Sequence, residues 1–174
     1  MKTKDMALTA VAAALICVAG PMSIFIGPVP LSAATFAVYM AGAVLGPKRG
    51  TLAVAVYLLI GAAGVPVFSG FSGGFQKLAG VTGGYLAGYL PCAFLAGIGA
   101  ERAERTGAGW LRPLLMAAGT LALYLAGTAW FMLQTGNTLG GALALCVLPF
   151  LPGDAVKILA ASLLAPPVRR ALRR

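Results

Sequence analysis

Asp154 and Lys157 stand three residues apart inside the last strongly apolar run of the chain, 143–166, and they are the only ionised side chains within any such run. A charge at the centre of a bilayer costs about 2.5–3.5 kcal/mol on insertion scales, so residues of this kind face a partner, a cavity or a ligand. Positions i and i+3 share one helix face, so both side chains can point into one space. A carboxylate there accepts from N–H groups, and an ammonium donates to an oxygen or pairs with a carboxylate. The same two residues could also form a salt bridge that only fixes helix packing, because desolvation can cancel the Coulomb gain of a buried pair. A packing pair tolerates replacement by apolar residues better than a ligand site does.

Little else in the chain can do covalent chemistry. It has four acidic residues and no His, which leaves a membrane enzyme such as a lipid transferase without acid–base or metal-binding groups. Glu101 and Glu104 lie among arginines and read as solvated helix-end charges. Cys17, Cys92 and Cys146 are isolated in or beside apolar runs and read as small core residues, with no metal site and no cofactor implied. No segment fits G-x-x-x-x-G-K-[ST], neither the glycine-rich 64–85 stretch nor Gly46-Pro47-Lys48-Arg49, so any ATP hydrolysis belongs to other subunits. The residues therefore leave three classes open: a small-molecule-binding membrane subunit, an ion- or proton-coupled transporter with Asp154 as relay, and a purely structural subunit of a larger membrane complex.

The elements that must position the pair follow from composition. Hydrophobic residues make up 60% of the chain and charged residues 10%, far from the balance of a soluble domain. In lipid only helices and closed barrels satisfy their own backbone, and strict two-residue alternation is missing, so the chain reads as all-α. Punctuation by Gly, Pro and Lys/Arg predicts six transmembrane helices in one compact domain over 1–174: 6–20, 32–46, 51–64, 82–100, 114–133 and 148–164. Met1 to Gly20 is taken as the first span rather than a cleaved signal, because no small-x-small site follows it.

Threading six spans puts Lys2, Lys4, Lys48, Arg49, Arg102, Arg105, Arg112, Arg169, Arg170, Arg173 and Arg174 on one side, 11 of the 13 basic residues. The connections 21–31 and 134–147 carry no charge, and 64–81 carries only Lys77. Both termini are then cytoplasmic by the positive-inside rule. This distribution over four short segments, without interleaved aromatics, accounts for the net charge of +9 as topology and attraction to lipid, and excludes nucleic acid as a partner.

Two further features stand out. Small residues are dense, with 24 Gly, and let membrane helices approach closely. Ala10 and Ala14 on the first span form one such pair, suited to packing within the bundle or to docking another membrane subunit. The segment 64–85 interleaves glycines with Phe68, Phe71, Phe75 and Gln76, which makes it a tight turn or, given flat apolar walls beside an amide, a lid or pocket wall.

Pro66-Val67-Phe68 with the glycine-rich run after it, Thr82-Gly83-Gly84-Tyr85-Leu86-Ala87-Gly88-Tyr89, and Pro149-Phe150-Leu151-Pro152-Gly153-Asp154-Ala155-Val156-Lys157 resemble the BioY family. Those are the biotin-binding S components of energy-coupling factor (ECF) transporters. The resemblance extends to Gly27-Pro28-Val29-Pro30-Leu31-Ser32 and Leu45-Gly46-Pro47, in the same order and within the same six-span frame. It implies a protein of the cytoplasmic membrane of a bacterium or archaeon. Its ligand would be biotin, captured outside and imported with a transmembrane coupling (T) protein and two ATPase subunits, or another vitamin if specificity has drifted. The site it implies comprises Asp154, Lys157, Phe68, Phe71, Gly73, Gly74, Phe75, Gln76, Thr82, Gly83, Gly84 and Tyr85, with Asp154 on the ureido N–H groups, Lys157 on a ligand oxygen, and Ala10 and Ala14 against the coupling protein. Two positions depart from the family: Val81 stands where Pro usually precedes Thr-Gly-Gly-Tyr, and Ala33 or Ala34 where a Gln usually follows Val-Pro. The contact of that Gln is thus not carried over.

Overall fold

The computed structural model describes residues 3–25 and 29–173; Lys2, Arg174 and the Gly27-Pro28 step of the motif above lie outside the described residues. The chain runs through α1 (Thr3–Ala19), β1 (Ser23–Phe25), β2 (Pro30–Ser32), α2 (Ala34–Leu45), α3 (Pro47–Ala62), α4 (Phe75–Ala79), α5 (Gly83–Thr106), α6 (Leu111–Thr135), α7 (Leu139–Cys146) and α8 (Leu151–Arg173). Each of the six apolar runs is helical. Among the described residues, three helices are long and apolar enough to cross a membrane, Gly83–Thr106, Leu111–Thr135 and Leu151–Leu172, and Ala34–Leu45 is a shorter apolar helix.

The helices differ from the expected spans for identifiable reasons. α5, α6 and α8 run past their apolar stretches because Arg102, Arg105, Arg112, Arg169 and Arg170 are good helix formers; Arg102, Arg105 and Arg170 are exposed, while Arg169 is buried. α3 begins at Pro47, whose fixed φ suits a first helical position. α2 begins at Ala34, later than expected, because Pro30–Ser32 pairs antiparallel with Ser23–Phe25, Ser23 opposite Ser32. At 12 residues α2 rises only about 18 Å, and the hairpin continues from its start.

Close backbone approach sets the bundle. A Cβ on Gly42 of α2 would lie 2.2 Å from the Ala93 carbonyl oxygen of α5, and one on Gly88 of α5 would lie 2.9 Å from Leu123 Cα of α6. Such contacts replace the hydrophobic drive that lipid cannot supply. Between them sits a core that includes fully buried Ile16, Tyr39, Tyr57, Phe68, Met116 and Phe131, with the Tyr39 hydroxyl 2.6 Å from Thr120 Oγ1.

The basic segments meet at one end. Arg49 pairs with Asp5, Arg169 Nε lies 3.0 Å from Glu104 Oε1, and Arg169 Nη1 donates to the Ala43 carbonyl at 2.8 Å. These contacts gather the start of α1, the α2–α3 corner and the last turns of α5 and α8. Gly46 makes that corner with φ +87°, a left-handed backbone that side chains avoid. Asp154 lies 15 residues before Arg169 on α8, about 22 Å along the helix and so toward the opposite end.

Candidate functional site

Asp154 occupies the first turn of α8, where exposed N–H groups and the helix dipole favour a carboxylate. It is 6% exposed. Its Oδ2 accepts from the Tyr124 hydroxyl of α6 at 2.6 Å, and its Oδ1 accepts from Lys157 Nζ at 3.0 Å. Lys157 also donates to the Ser32 carbonyl of β2 at 2.8 Å. One ammonium therefore ties α8 to the hairpin, and one carboxylate ties α8 to α6. Both charges are compensated, as low-dielectric surroundings require.

The pair lies at a cleft of about 40 Å³ whose apolar walls include Val29, Leu123 and Phe150, and whose polar lining includes Thr35, Tyr85 and Tyr89. A second cleft of about 30 Å³ shares Val29, Pro30, Tyr85 and Tyr89 with the first and continues to Phe68, Lys77 and Thr82. The Tyr85 hydroxyl lies 3.2 Å from Thr128 Oγ1 and donates to the Cys146 carbonyl at 3.5 Å, which fixes the ring between the two clefts. Val29 and Pro30 thus border two adjoining polar–aromatic clefts, the first of which is lined also by residues of α2, α5, α6 and α8.

The residues singled out in the sequence fall into three groups. Asp154, Lys157 and Tyr85 line the first cleft, and Phe68, Thr82 and Tyr85 line the second. Phe68 is also packed edge-on against Tyr57, with ring centroids 5.5 Å apart. Gly73, Gly83 and Gly84 serve close packing instead: added Cβ atoms would lie 2.4 Å from the Val65 carbonyl oxygen, 1.7 Å from that of Leu78 and 2.3 Å from Trp130 Cβ, while a Cβ on Gly74 would meet open space. Phe71 and Phe75 lie outside both clefts at 73% and 72% exposure, and Gln76 is exposed as well. Phe71 is turned outward by its own backbone, a left-handed φ of +56° rare for an aromatic residue. Ala10 and Ala14 are exposed on α1. Of the two departures, Val81 is exposed and Ala34 is buried, while the next residue, Thr35, lines the first cleft.

Tyr124, Tyr89, Thr35 and the Ser32 carbonyl were not singled out from sequence. The available signal was polar side chains inside apolar runs. Tyr85 and Tyr89 share a helix face at i and i+4, but Tyr124 belongs to another helix and no spacing links it to Asp154.

A bundle of long apolar helices with polar clefts between them is a multi-pass helical membrane protein. Its sequence matches the BioY family over residues 1–174, and the chain belongs to that family. It is 41% identical over 165 residues to a probable biotin transporter BioY of Pyrococcus horikoshii, covering 95% of this chain and 96% of that one. It is 40% identical over 152 residues to the biotin transporter BioY of Thermotoga maritima, covering 87% and 88%. A crystal structure of the S-component for biotin from an ECF-type ABC transporter superposes with a TM-score of 0.85 at 28% identity, covering 99% of this chain and 93% of that one. These relatives are transport proteins rather than enzymes, in line with the shortage of acid–base groups.

Proposed function

We propose that the chain is the biotin-binding S component of an ECF-type transporter, capturing biotin on the extracytoplasmic side of the cell membrane for ATP-driven import. The observation that carries this reading is the pair of buried Asp154 and half-buried Lys157 facing a cleft with tyrosine and aliphatic walls. Biotin presents two ureido N–H donors and a carbonyl acceptor on an apolar bicycle, and a valerate ending in a carboxylate. Asp154 accepts from the ureido N–H groups, Lys157 donates to a ligand oxygen, and Tyr85 and Phe68 flank the bicycle. The relatives named as biotin transporters support the choice of ligand.

The clefts of about 40 and 30 Å³ are far below the roughly 300–1,000 Å³ of small-molecule sites. Entry therefore opens the chamber, and the part able to yield is the outer cover, Val29 and Pro30 of the hairpin and the 68–77 segment with Gly73, Gly74, Phe75 and Gln76. This movement shifts Ser32 relative to Lys157 and so couples the cover to the ligand.

In this reading α1, α2, α3, α5, α6 and α8 are six spans of a single transmembrane domain, and α4 and α7 lie on the outer side. The gathered basic end faces the cytoplasm by the positive-inside rule, which puts both termini there and the chamber outside. The T protein docks against the exposed Ala10 and Ala14 of α1, and two ATPase subunits supply the energy. Uptake of labelled biotin into vesicles carrying the complete complex tests the mechanism: internal ATP drives accumulation and a proton gradient alone does not. Accumulation driven by the gradient without ATPases would make Asp154 a proton relay and overturn it.

A further inference from the structure

A groove of about 470 Å³ runs along the outside of the bundle between α1, α2 and the end of α8. All of its lining residues are apolar, chiefly Leu8, Val11, Leu15 and Val18 of α1 with Met40 and Val44 of α2. From Leu8 to Val18 the helix rises about 15 Å, half of a hydrocarbon layer about 30 Å thick. The groove thus has the length of an acyl chain in one leaflet.

Its end at the basic side is polar. Leu8, Val44, Leu45 and Leu172 also line a chamber of about 200 Å³ whose other walls are Lys4, Asp5, Arg49 and Arg169. Arg169 is committed to Glu104 and the Ala43 carbonyl. Arg49 is not fully used: its Nε donates to the Leu45 carbonyl and its Nη1 to Asp5, while its Nη2 has no hydrogen-bond partner among the described residues. Lys4 is exposed and makes no ion pair among the described residues. Asp5 is already held by Arg49, so Lys4 and the free edge of the guanidinium face the chamber as donors. A guanidinium edge and an ammonium are the groups that grip phosphate, and basic pockets between membrane helices at this level hold anionic headgroups.

We propose that groove and chamber together bind one phospholipid with an anionic headgroup, its acyl chain along α1 and α2 and its phosphate between Lys4 and Arg49. Ala10 and Ala14 do not line the groove, so the bound lipid leaves that strip of α1 uncovered. The site holds lipid whether or not the inner chamber is filled.

The test uses the full chain in mild detergent, washed free of lipid, loaded with phosphatidylglycerol or phosphatidylcholine, washed again, and counted by native mass spectrometry. One phosphatidylglycerol per chain is retained, about tenfold over phosphatidylcholine. Lys4→Gln with Arg49→Gln lowers retention by about fivefold per basic residue. Val11→Trp with Leu15→Trp, which fills the groove, also lowers it, and glycerol phosphate without chains does not compete. Circular dichroism checks that each variant keeps its helices. If the double charge variant loses helicity, Lys4→Gln alone decides, since Lys4 is exposed and makes no ion pair among the described residues. Equal retention of the two lipids, retention unchanged by the intact charge and groove variants, or a second copy of the chain in place of lipid would overturn the proposal.

Discussion

Replacing Asp154 by Asn keeps the shape of the side chain and removes its charge, so it isolates what the carboxylate contributes. In the structure the carboxylate accepts two hydrogen bonds, from Tyr124 at 2.6 Å and from Lys157 at 3.0 Å. An Asn oxygen turned to Lys157 places its NH₂ toward Tyr124, whose hydroxyl then serves as acceptor, so the fold survives. No second oxygen is then left for a ligand N–H group. A hydrogen bond to a charged group contributes about 1.5–3 kcal/mol and a neutral one about 0.5–1.5. The difference of roughly 1–1.5 kcal/mol corresponds to about tenfold in Kd. Lys157→Ala removes the ammonium that lines the first cleft and loses tenfold or more on the same scale. Titration calorimetry of detergent-purified variants with biotin measures both. The double replacement Asp154→Leu with Lys157→Met removes both charges together, which a packing pair tolerates; it should stay folded and bind no biotin. Wild-type affinity in Asp154→Asn and Lys157→Ala alike would reduce the pair to a packing element and overturn its role in binding.

Tyr124→Phe removes a donor to a buried carboxylate and should weaken biotin binding by about fivefold, roughly 1 kcal/mol, by calorimetry; unchanged affinity would show that Tyr124 does not orient Asp154. Gly42→Leu forces α2 away from α5, where a Cβ alone meets the Ala93 carbonyl oxygen at 2.2 Å, and should destabilise by about 1–3 kcal/mol or more, seen as a lower Tm in detergent. Ala10→Leu with Ala14→Leu, both on the exposed face of α1, should abolish co-purification with the T protein and ATPases while biotin affinity stays at the wild-type value; unchanged co-purification would move the docking face elsewhere.

The parts of this structure that are legible in sequence are those set by local physics. An acid and a base in one apolar run, three residues apart, had to share a face, and the structure joins them at 3.0 Å. Lys and Arg clusters marked where helices turn, although the helices run through them rather than stopping, because a basic side chain ends an apolar stretch without ending a helix. The hairpin of Ser23–Phe25 with Pro30–Ser32 was not legible: it is three residues per strand in an uncharged, proline-containing connection, too short to show alternation. Tyr124 and Thr35 were missed because their relation to Asp154 comes from helix packing and leaves no spacing in the chain. The glycines of 83–84 carried a real signal, but for close approach to the Leu78 backbone and the Trp130 side chain. Aromatic content alone could not separate buried Phe68 from exposed Phe71, which has a positive φ.

Asp154 and Lys157 are proposed to be kept inside the membrane bundle to hold biotin. Calorimetric titration of the purified wild-type chain with biotin and a small panel of other vitamins tests this most directly. The expected result is saturable one-to-one binding of biotin with the rest of the panel silent. Absence of heat with biotin, or equal binding of a vitamin that lacks a ureido group, would contradict it.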